Sequence, residues 1–402
     1  MTADAPALVV ASDAAAVLRY GGRAAVDRAV EALVRAGFRV AGVVAAPAVR
    51  DRVAAALAHR PGLGVWVPGE PALAAAVADA GEVVLVDASV LLDPRLLVEA
   101  ASWRRPTQLV DRGQPVGVAR VPAARLDPAA LPDVAAAVAP DDARVDIDDL
   151  PRYSRALRRE LRPYWLRVRT STDVRRARRL LAAAGGKGHM EWWVLLVNRP
   201  VETWLSYHVT EWRVTPNQIT FASNVAAVAA AVAFATGRLW LGLAAALANS
   251  ILDGLDGRQA RVQLKTSKVG ELEHVFDALS EIAWVGALAW HLSGGLADAA
   301  IGWGALLWLA AYAADNAAYT FFRVRRGMMI DEASRIDAAV RFVGARRNTN
   351  FAYFAAALAL GAPRVGFWII AVGTAVTAAV HWLRVAVLLA RPARAAAAVV
   401  DR

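Results

Sequence analysis

Residues 253–261, "DGLDGRQAR", close a long apolar stretch with two aspartates and two arginines. Charges at the edge of a hydrophobic segment are costly and commonly mark function. Asp253 and Asp256 stand three apart, so on a helix both carboxylates project from one face. Downstream, Glu273, Asp277 and Glu281 recur at four-residue intervals and form a second acidic stripe at the start of the next apolar segment. A short basic loop joins the two, which allows the stripes to face each other. Carboxylates gathered there repel one another unless a cation sits between them. An all-oxygen donor set suits Mg²⁺, Mn²⁺ or Ca²⁺ rather than zinc. Gly254 and Gly257 remove side chains where a ligand can approach, and Arg261 lies within reach of a phosphate.

The whole chain supports a membrane setting for this cluster. Its 402 residues leave room for two domains, 57% of them are hydrophobic, and mean hydropathy is +0.36. Cysteine is absent, which excludes disulfides, thiol catalysis and zinc fingers. "ALVVAS" near the start is too short for a signal peptide, so the N-terminus is expected in the cytosol. The net charge of +10 is uneven: Arg152 to Arg179 holds eleven arginines against Glu160 and Asp173. Placed just before the hydrophobic half, this segment points to an anionic membrane surface rather than nucleic acid.

The two halves differ in pattern. Residues 1–150 read as a soluble α/β domain, with short apolar strands such as "ALVVAS" and "EVVLVDAS" alternating with the amphipathic "GGRAAVDRAVEALVRAGF". That alternation predicts a mostly parallel, doubly wound sheet. An arginine-rich linker is expected over 151–187, and an all-α domain of six transmembrane helices over 188–395. The spans fall at 218–236, 239–257, 272–292, 299–322, 350–362 and 365–388. Arg258, Arg261, Lys265 and Lys268 lie between spans 2 and 3, and seven arginines from Arg323 to Arg347 between spans 4 and 5. The opposite loops hold only Arg238 and Arg364. The chain is therefore expected to be a multi-pass protein of the cytoplasmic (inner) membrane, with both termini and the acidic cluster on the cytosolic side. "NRPVETWLSYHVTEWRV" reads as an interfacial helix, and "TPNQIT" as the start of span 1 with Thr215 as N-cap. Asp315 is expected to face a polar cavity, and His381 and Arg384 to snorkel at the inner end of span 6.

The spacing D-x-x-D-G-x-x-A-R, followed by eight residues and Gly270, resembles the signature of the CDP-alcohol phosphotransferase family. "TPNQIT" resembles that family too, and the likeness runs over roughly residues 187–390. It implies a six-span enzyme that moves a phospho-alcohol from a CDP-alcohol donor to an acceptor alcohol and releases CMP. By the same resemblance, Asp253, Asp256, Glu273 and Asp277 hold Mg²⁺ or Mn²⁺, and Asp277 deprotonates the acceptor. Gly257, Ala260, Arg261, Lys265, Thr266 and Gly270 form the nucleotide floor, and a homodimer embedded in membrane lipid is expected. The family places its last two acids where this chain has His274 and Ala278. Glu273 and Asp277 stand one residue earlier and keep the four-residue interval.

The opening of the chain resembles a sugar-type nucleotidyltransferase, which is fused to CDP-alcohol phosphotransferases in some inositol-phospholipid pathways. "SDAAAV" stands where that family has a glycine-rich phosphate loop, and Ser89 in "VDAS" replaces its metal aspartate, with Asp87 nearby. Both losses imply a domain without nucleotidyl transfer. Inositol phosphate or another polyol is the acceptor this fusion implies, and the loop arginines Arg323 to Arg347 offer a place for its phosphate. The alternatives are a CDP-diacylglycerol-dependent phosphatidyltransferase with another small alcohol, and a catalytically inactive membrane scaffold.

Overall fold

The computed structural model describes residues 3–390 other than 79, 189, 213, 266–269 and 296, and only the backbone of 270–274. Seven strands form the N-terminal sheet: β1 (Ala7–Ala11), β2 (Val40–Ala45), β3 (Gly64–Trp66), β4 (Glu82–Asp87), β5 (Thr107–Asp111), β6 (Gln114–Pro122) and β7 (Ala143–Asp146). Their spatial order is β7-β5-β6-β4-β1-β2-β3. Helices α1 (Ala25–Arg35), α2 (Arg50–Leu57) and α4 (Pro94–Ser102) pack one face through Val26, Leu33, Val53 and Leu96. Helix α3 (Pro71–Ala78) covers the other through Leu73 and Val77. Burial on both faces explains why the strands read as unbroken apolar runs.

The sheet is mixed. Strand β6 runs antiparallel to both β4 and β5, while the other neighbours are parallel. The departure comes from a two-residue connection between β5 and β6. Arg112 at φ 50° and Gly113 at φ 80° form a tight hairpin, which can only join antiparallel strands.

The arginine-rich segment folds onto this domain. Trp165–Arg167 pairs antiparallel with Val90–Leu92. Helix α5 (Ser171–Ala184) begins at a capping box formed by Thr170 and Asp173. Its Ala177 and Leu181 pack with Tyr20, Leu91 and Val168. After a π-helical turn at Val194–Asn198 comes α6 (Arg199–Val209). Its polar stripe Asn198, Glu202, Ser206 and Thr210 is buried, whereas Trp204 is 61% exposed. The helix is thus turned with its polar side inward and its aromatic side outward.

The remaining helices are α7 (Pro216–Ala235), α8 (Leu239–Val262), α9 (Gly270–Leu292), α10 (Ala299–Arg326), α11 (Arg335–Val343), α12 (Arg347–Ala359) and α13 (Pro363–Ala390). Thr215 caps α7 with Pro216 in its first turn, as "TPNQIT" indicates. Six of these helices fall on the six expected spans. Of the described helices, two, α7 and α13, are long and apolar enough by composition to cross a bilayer. Helix α12 has 13 residues, a length of about 20 Å, short of the ~30 Å of a hydrocarbon core. The bundle core is aromatic, built on Phe234, Trp284, Phe351, Phe354 and Phe367. Helices α7 and α8 are clasped by reciprocal bonds: Asn249 Nδ2 donates to the Ser223 carbonyl at 3.0 Å, and Ser223 Oγ to the Asn249 carbonyl at 3.1 Å.

The C-terminal end of α8 enters the α/β domain. Leu264 takes the left-handed conformation, φ 50°, at the position where glycine is usual. Lys265 N–H bonds the Ala260 carbonyl at 2.8 Å and Leu264 N–H that of Arg261 at 3.3 Å. Arg28 Nη1 takes the Val262 carbonyl at 2.6 Å, and Arg23 takes those of Gln263 (2.7 Å) and Leu264 (3.3 Å). The carbonyls that a helix end leaves bare are therefore satisfied, partly by another domain. A left-handed leucine is unfavourable. Its side chain offsets that cost by burial, 5% exposed, in the α/β core.

Candidate active site

Helix α8 carries Asp253 and Asp256 toward its C-terminal end, and α9 carries Asp277 and Glu281 one turn apart. Asp253 Oδ2 lies 3.0 Å from Arg347 Nη2, and Asp277 Oδ1 lies 2.7 Å from Arg347 Nη1. Arg347 opens α12, so three helices meet at one guanidinium. Its side chain is 18% exposed, and those of Asp253 and Asp277 are 21% and 29% exposed. Asp256 is buried and accepts a bond from Thr220 Oγ1 on α7 at 2.6 Å. Glu281, one turn beyond Asp277, is buried and lines a cavity of about 30 Å³ with Arg347, Trp284 and Phe351. The side chain of Glu273 lies outside the described residues, as does Thr266.

The expected nucleotide floor is distributed. Gly257 and Ala260 lie on α8, and a Cβ on Gly257 would meet Arg261 Nη1 at 3.4 Å. Arg261 turns back to the α5–α6 connection, where its Nε donates to the Gly185 carbonyl at 2.8 Å. Lys265 borders a different, polar cavity of about 410 Å³ with Arg23, Glu31, Arg35 and the start of α7. Gly270 opens α9.

Gly254 answers to a neighbour rather than a ligand. A Cβ there would meet Glu202 Oε1 at 2.3 Å, so its absence admits the α6 carboxylate. Glu202 Oε2 in turn pairs with Arg258 Nη2 at 3.0 Å, and Arg258 Nη1 donates to the Ala182 carbonyl at 2.7 Å. Burial pushes the Glu202 carboxyl above its ordinary value, and the Arg258 guanidinium counteracts this in part. Sequence reasoning took Arg258 only as a positive-inside charge. The i, i+4 polar stripe from Asn198 to Thr210 was the signal for its partner.

The second basic patch is internally paired at its core. Arg341 Nη2 lies 3.1 Å and Arg346 Nε 3.5 Å from Glu191, and Arg346 Nη1 lies 3.0 Å from Asp315. Burial raises the Glu191 carboxyl, yet the two arginines outweigh it and hold the group below its ordinary value. Asp315 also bonds His381, which is 1% exposed. His381 is a buried partner and not a snorkelling residue. Arg384 is likewise paired, with Asp337 at 2.6 Å.

In the α/β domain, Asp87 accepts from Ser89 N and Oγ at 2.8 Å and lies 3.4 Å from Arg167. Its carboxylate is engaged by protein donors. The three acids of the described residues closest to a metal-type grouping are Asp111, Asp146 and Asp148. They sit at the far sheet edge, where Arg162 pairs Asp111 at 2.8 Å and Asp148 at 2.7 Å.

Residues 213–390 match the family model described as CDP-alcohol phosphatidyltransferase. The C-terminal half is a CDP-alcohol phosphatidyltransferase domain. This transferase domain belongs to a family of enzymes, and the chain has bifunctional relatives. It is 36% identical over 135 residues to the bifunctional IPC transferase and DIPP synthase of Aquifex aeolicus, covering 32% of this chain and 30% of that protein. The protein of the same name from Thermococcus kodakarensis is 34% identical over 128 residues, covering 31% of this chain and 29% of that protein. The matches thus span under a third of the length of these relatives. Among solved structures, Mycobacterium tuberculosis phosphatidylinositol phosphate synthase with CDP-DAG bound superposes at TM-score 0.35 and 20% identity, over 47% of this chain and 93% of that one. The same enzyme with manganese and citrate gives 0.37 over 47% and 88%.

Proposed function

We propose that the protein is an integral CDP-alcohol phosphotransferase of the cytoplasmic membrane, acting on its cytosolic side. It transfers a phospho-alcohol from a CDP-alcohol to an acceptor hydroxyl, with inositol phosphate or another polyol as acceptor, and releases CMP. The observation that carries this reading is the meeting of Asp253 and Asp277, from separate helices, on a single cationic group, Arg347. In this proposal residues 1–150 are a nucleotidyltransferase-like domain without transfer activity, supported by the engagement of Asp87 with Ser89 and Arg167. Residues 151–187 connect it to the transferase domain at 188–395, six spans place the site, and the assembly is a homodimer.

The donor set fits a hard divalent cation. Among the described acids, Asp253 and Asp277 meet on one positive group, the Arg347 guanidinium, and carboxylate oxygens are the donors such a cation takes. Asp253, Asp256, Glu273 and Asp277 would hold Mg²⁺ or Mn²⁺, which supplies neutralisation of the pyrophosphate and of the leaving CMP. Asp277 is the proposed base: its carboxylate accepts the proton of the acceptor hydroxyl. Arg347 holds Asp253 and Asp277 at a fixed separation. Gly257, Ala260, Arg261, Lys265, Thr266 and Gly270 are the proposed floor for the nucleotide.

The experiment is a screen of CMP release by the full-length purified protein over CDP-alcohols and polyol acceptors, with Mg²⁺ or Mn²⁺. Metal-dependent CMP release that disappears in Asp277→Asn supports the assignment; its absence across the screen overturns it. Two observations favour a second reading, a catalytically inactive scaffold. Arg347 already neutralises Asp253 and Asp277, and Arg261 is committed to the Gly185 carbonyl.

A further inference from the structure

The outward side of α6 and the exposed side of α5 enclose a groove of about 630 Å³ that no step above uses. Its apolar lining is formed by Leu195, Pro200, Trp204 and Tyr207, and Arg179, Arg199 and His208 line it as well. The lining contains no carboxylate. Neighbouring arginines have acidic partners: Arg178 lies 3.3 Å from Glu211, and Arg176 lies 3.8 Å from Asp173. Arg179 and Arg199 have none among the described residues. Positive charge is in local surplus. The Arg159 guanidinium is held below its usual value, first by burial and then by repulsion from Arg199 and Arg258.

The groove has fixed walls. Arg178 Nη2 donates to the Tyr207 carbonyl at 2.9 Å while its guanidinium sits 4.4 Å over the Tyr207 ring, tying α5 to α6. Beyond this lining, Leu196 and Trp212 are each 70% exposed and continue the apolar surface. Helix α6 ends at Val209 and α7, an apolar helix of membrane-crossing length, begins at Pro216. The groove therefore lies on the helix that leads into α7.

We propose that this groove is a binding site for an anionic phospholipid, separate from the carboxylate cluster on α8 and α9. The lipid phosphate sits between Arg179 and Arg199, and the upper acyl chains lie against Leu195, Leu196 and Trp204. Charge complementarity selects a net-negative headgroup, since two guanidinium groups without acids favour a phosphate diester whose charge no headgroup ammonium offsets. The apolar lining selects a lipid over a free anion.

The test uses the full-length protein in detergent with a fluorescent short-chain phosphatidylglycerol, read by polarisation. Binding is expected to be displaced by unlabelled phosphatidylglycerol but not by phosphatidylcholine. Arg179→Gln with Arg199→Gln should weaken it about tenfold or more. Arg175→Gln with Arg176→Gln, on the same helix but outside the groove, should leave it within about twofold of wild type. An unchanged thermal midpoint of the first pair confirms that the fold is kept; if that pair unfolds, Trp204→Glu in its place must give the loss. Equal weakening by both pairs would mean diffuse surface attraction and would overturn the site. Displacement by millimolar inorganic phosphate as effective as by the lipid, or full binding by the Arg179/Arg199 variant, would overturn it as well.

Discussion

Asp253 and Asp277, on different helices, hold opposite ends of one guanidinium, that of Arg347, at 3.0 and 2.7 Å. The pair is thus kept together by a positive group the protein itself supplies. A divalent cation entering this cluster competes with that group.

Replacing Arg347 by Gln is expected to lower the thermal midpoint in EDTA. It leaves two close carboxylates uncompensated, a cost of up to about 3 kcal/mol for a partly buried pair. Added Mn²⁺ should then restore the variant by more than it raises wild type, because ligand binding stabilises the folded state. An equal Mn²⁺ shift in the two proteins would show that these carboxylates do not hold the ion.

Gly254→Ala should destabilise the protein by about 1–3 kcal/mol, because its methyl group collides with Glu202 and displaces it from Arg258. Gly286 has open space around its Cβ position, so Gly286→Ala should be neutral or gain up to about 1 kcal/mol from helix propensity. Thermal melts of the two variants in one detergent check the contrast.

Arg28→Met removes the donor that meets the Val262 carbonyl at 2.6 Å and leaves that acceptor buried. A loss of about 1–3 kcal/mol is expected. Limited proteolysis between the two halves should accelerate, while Arg35→Met on the exposed side of the same helix should not change it. Equal cleavage rates would mean that the contact does not couple the domains.

Acid should loosen the α/β domain through Asp27 and Glu31. Burial alone would raise both carboxyls. Arg23 and Arg60 outweigh it at Asp27, as Arg60 and Arg35 do at Glu31, so both lie below their ordinary values of 3.8 and 4.5. Groups depressed in the folded state contribute stability above their unfolded values and lose it as pH falls through the folded ones. The melting midpoint should therefore drop from about pH 4.5 downward. Asp27→Asn should flatten that slope; an unaltered slope would exclude this network as its source.

The sequence revealed the helices of the second half well, because their apolar runs are bounded by charges and by Thr215–Pro216. Span 2 ended early on paper at residue 257, whereas α8 continues to Val262. Its last turn is polar on the surface of the sequence and buried only by another domain. The mixed sheet hid behind Arg112, since a left-handed arginine leaves no compositional trace. The carboxylate pair on α8 was plain from spacing, and so was Asp277. Arg347 was not, because nothing local distinguishes it from the other loop arginines: its role arises from 94 residues of chain folding back on Asp253. Glu202 was hidden for a related reason. A helix with a polar side and an aromatic side does not state which one faces the protein.

The final turn of α8 has a consequence for how this chain can change. Its carbonyls at 262, 263 and 264 find their donors in Arg28 and Arg23, and Leu264 finds its shelter, all within the α/β domain. The aspartate-bearing helix is finished by its neighbour, so discarding that neighbour would unravel the end of the helix nearest to Asp256.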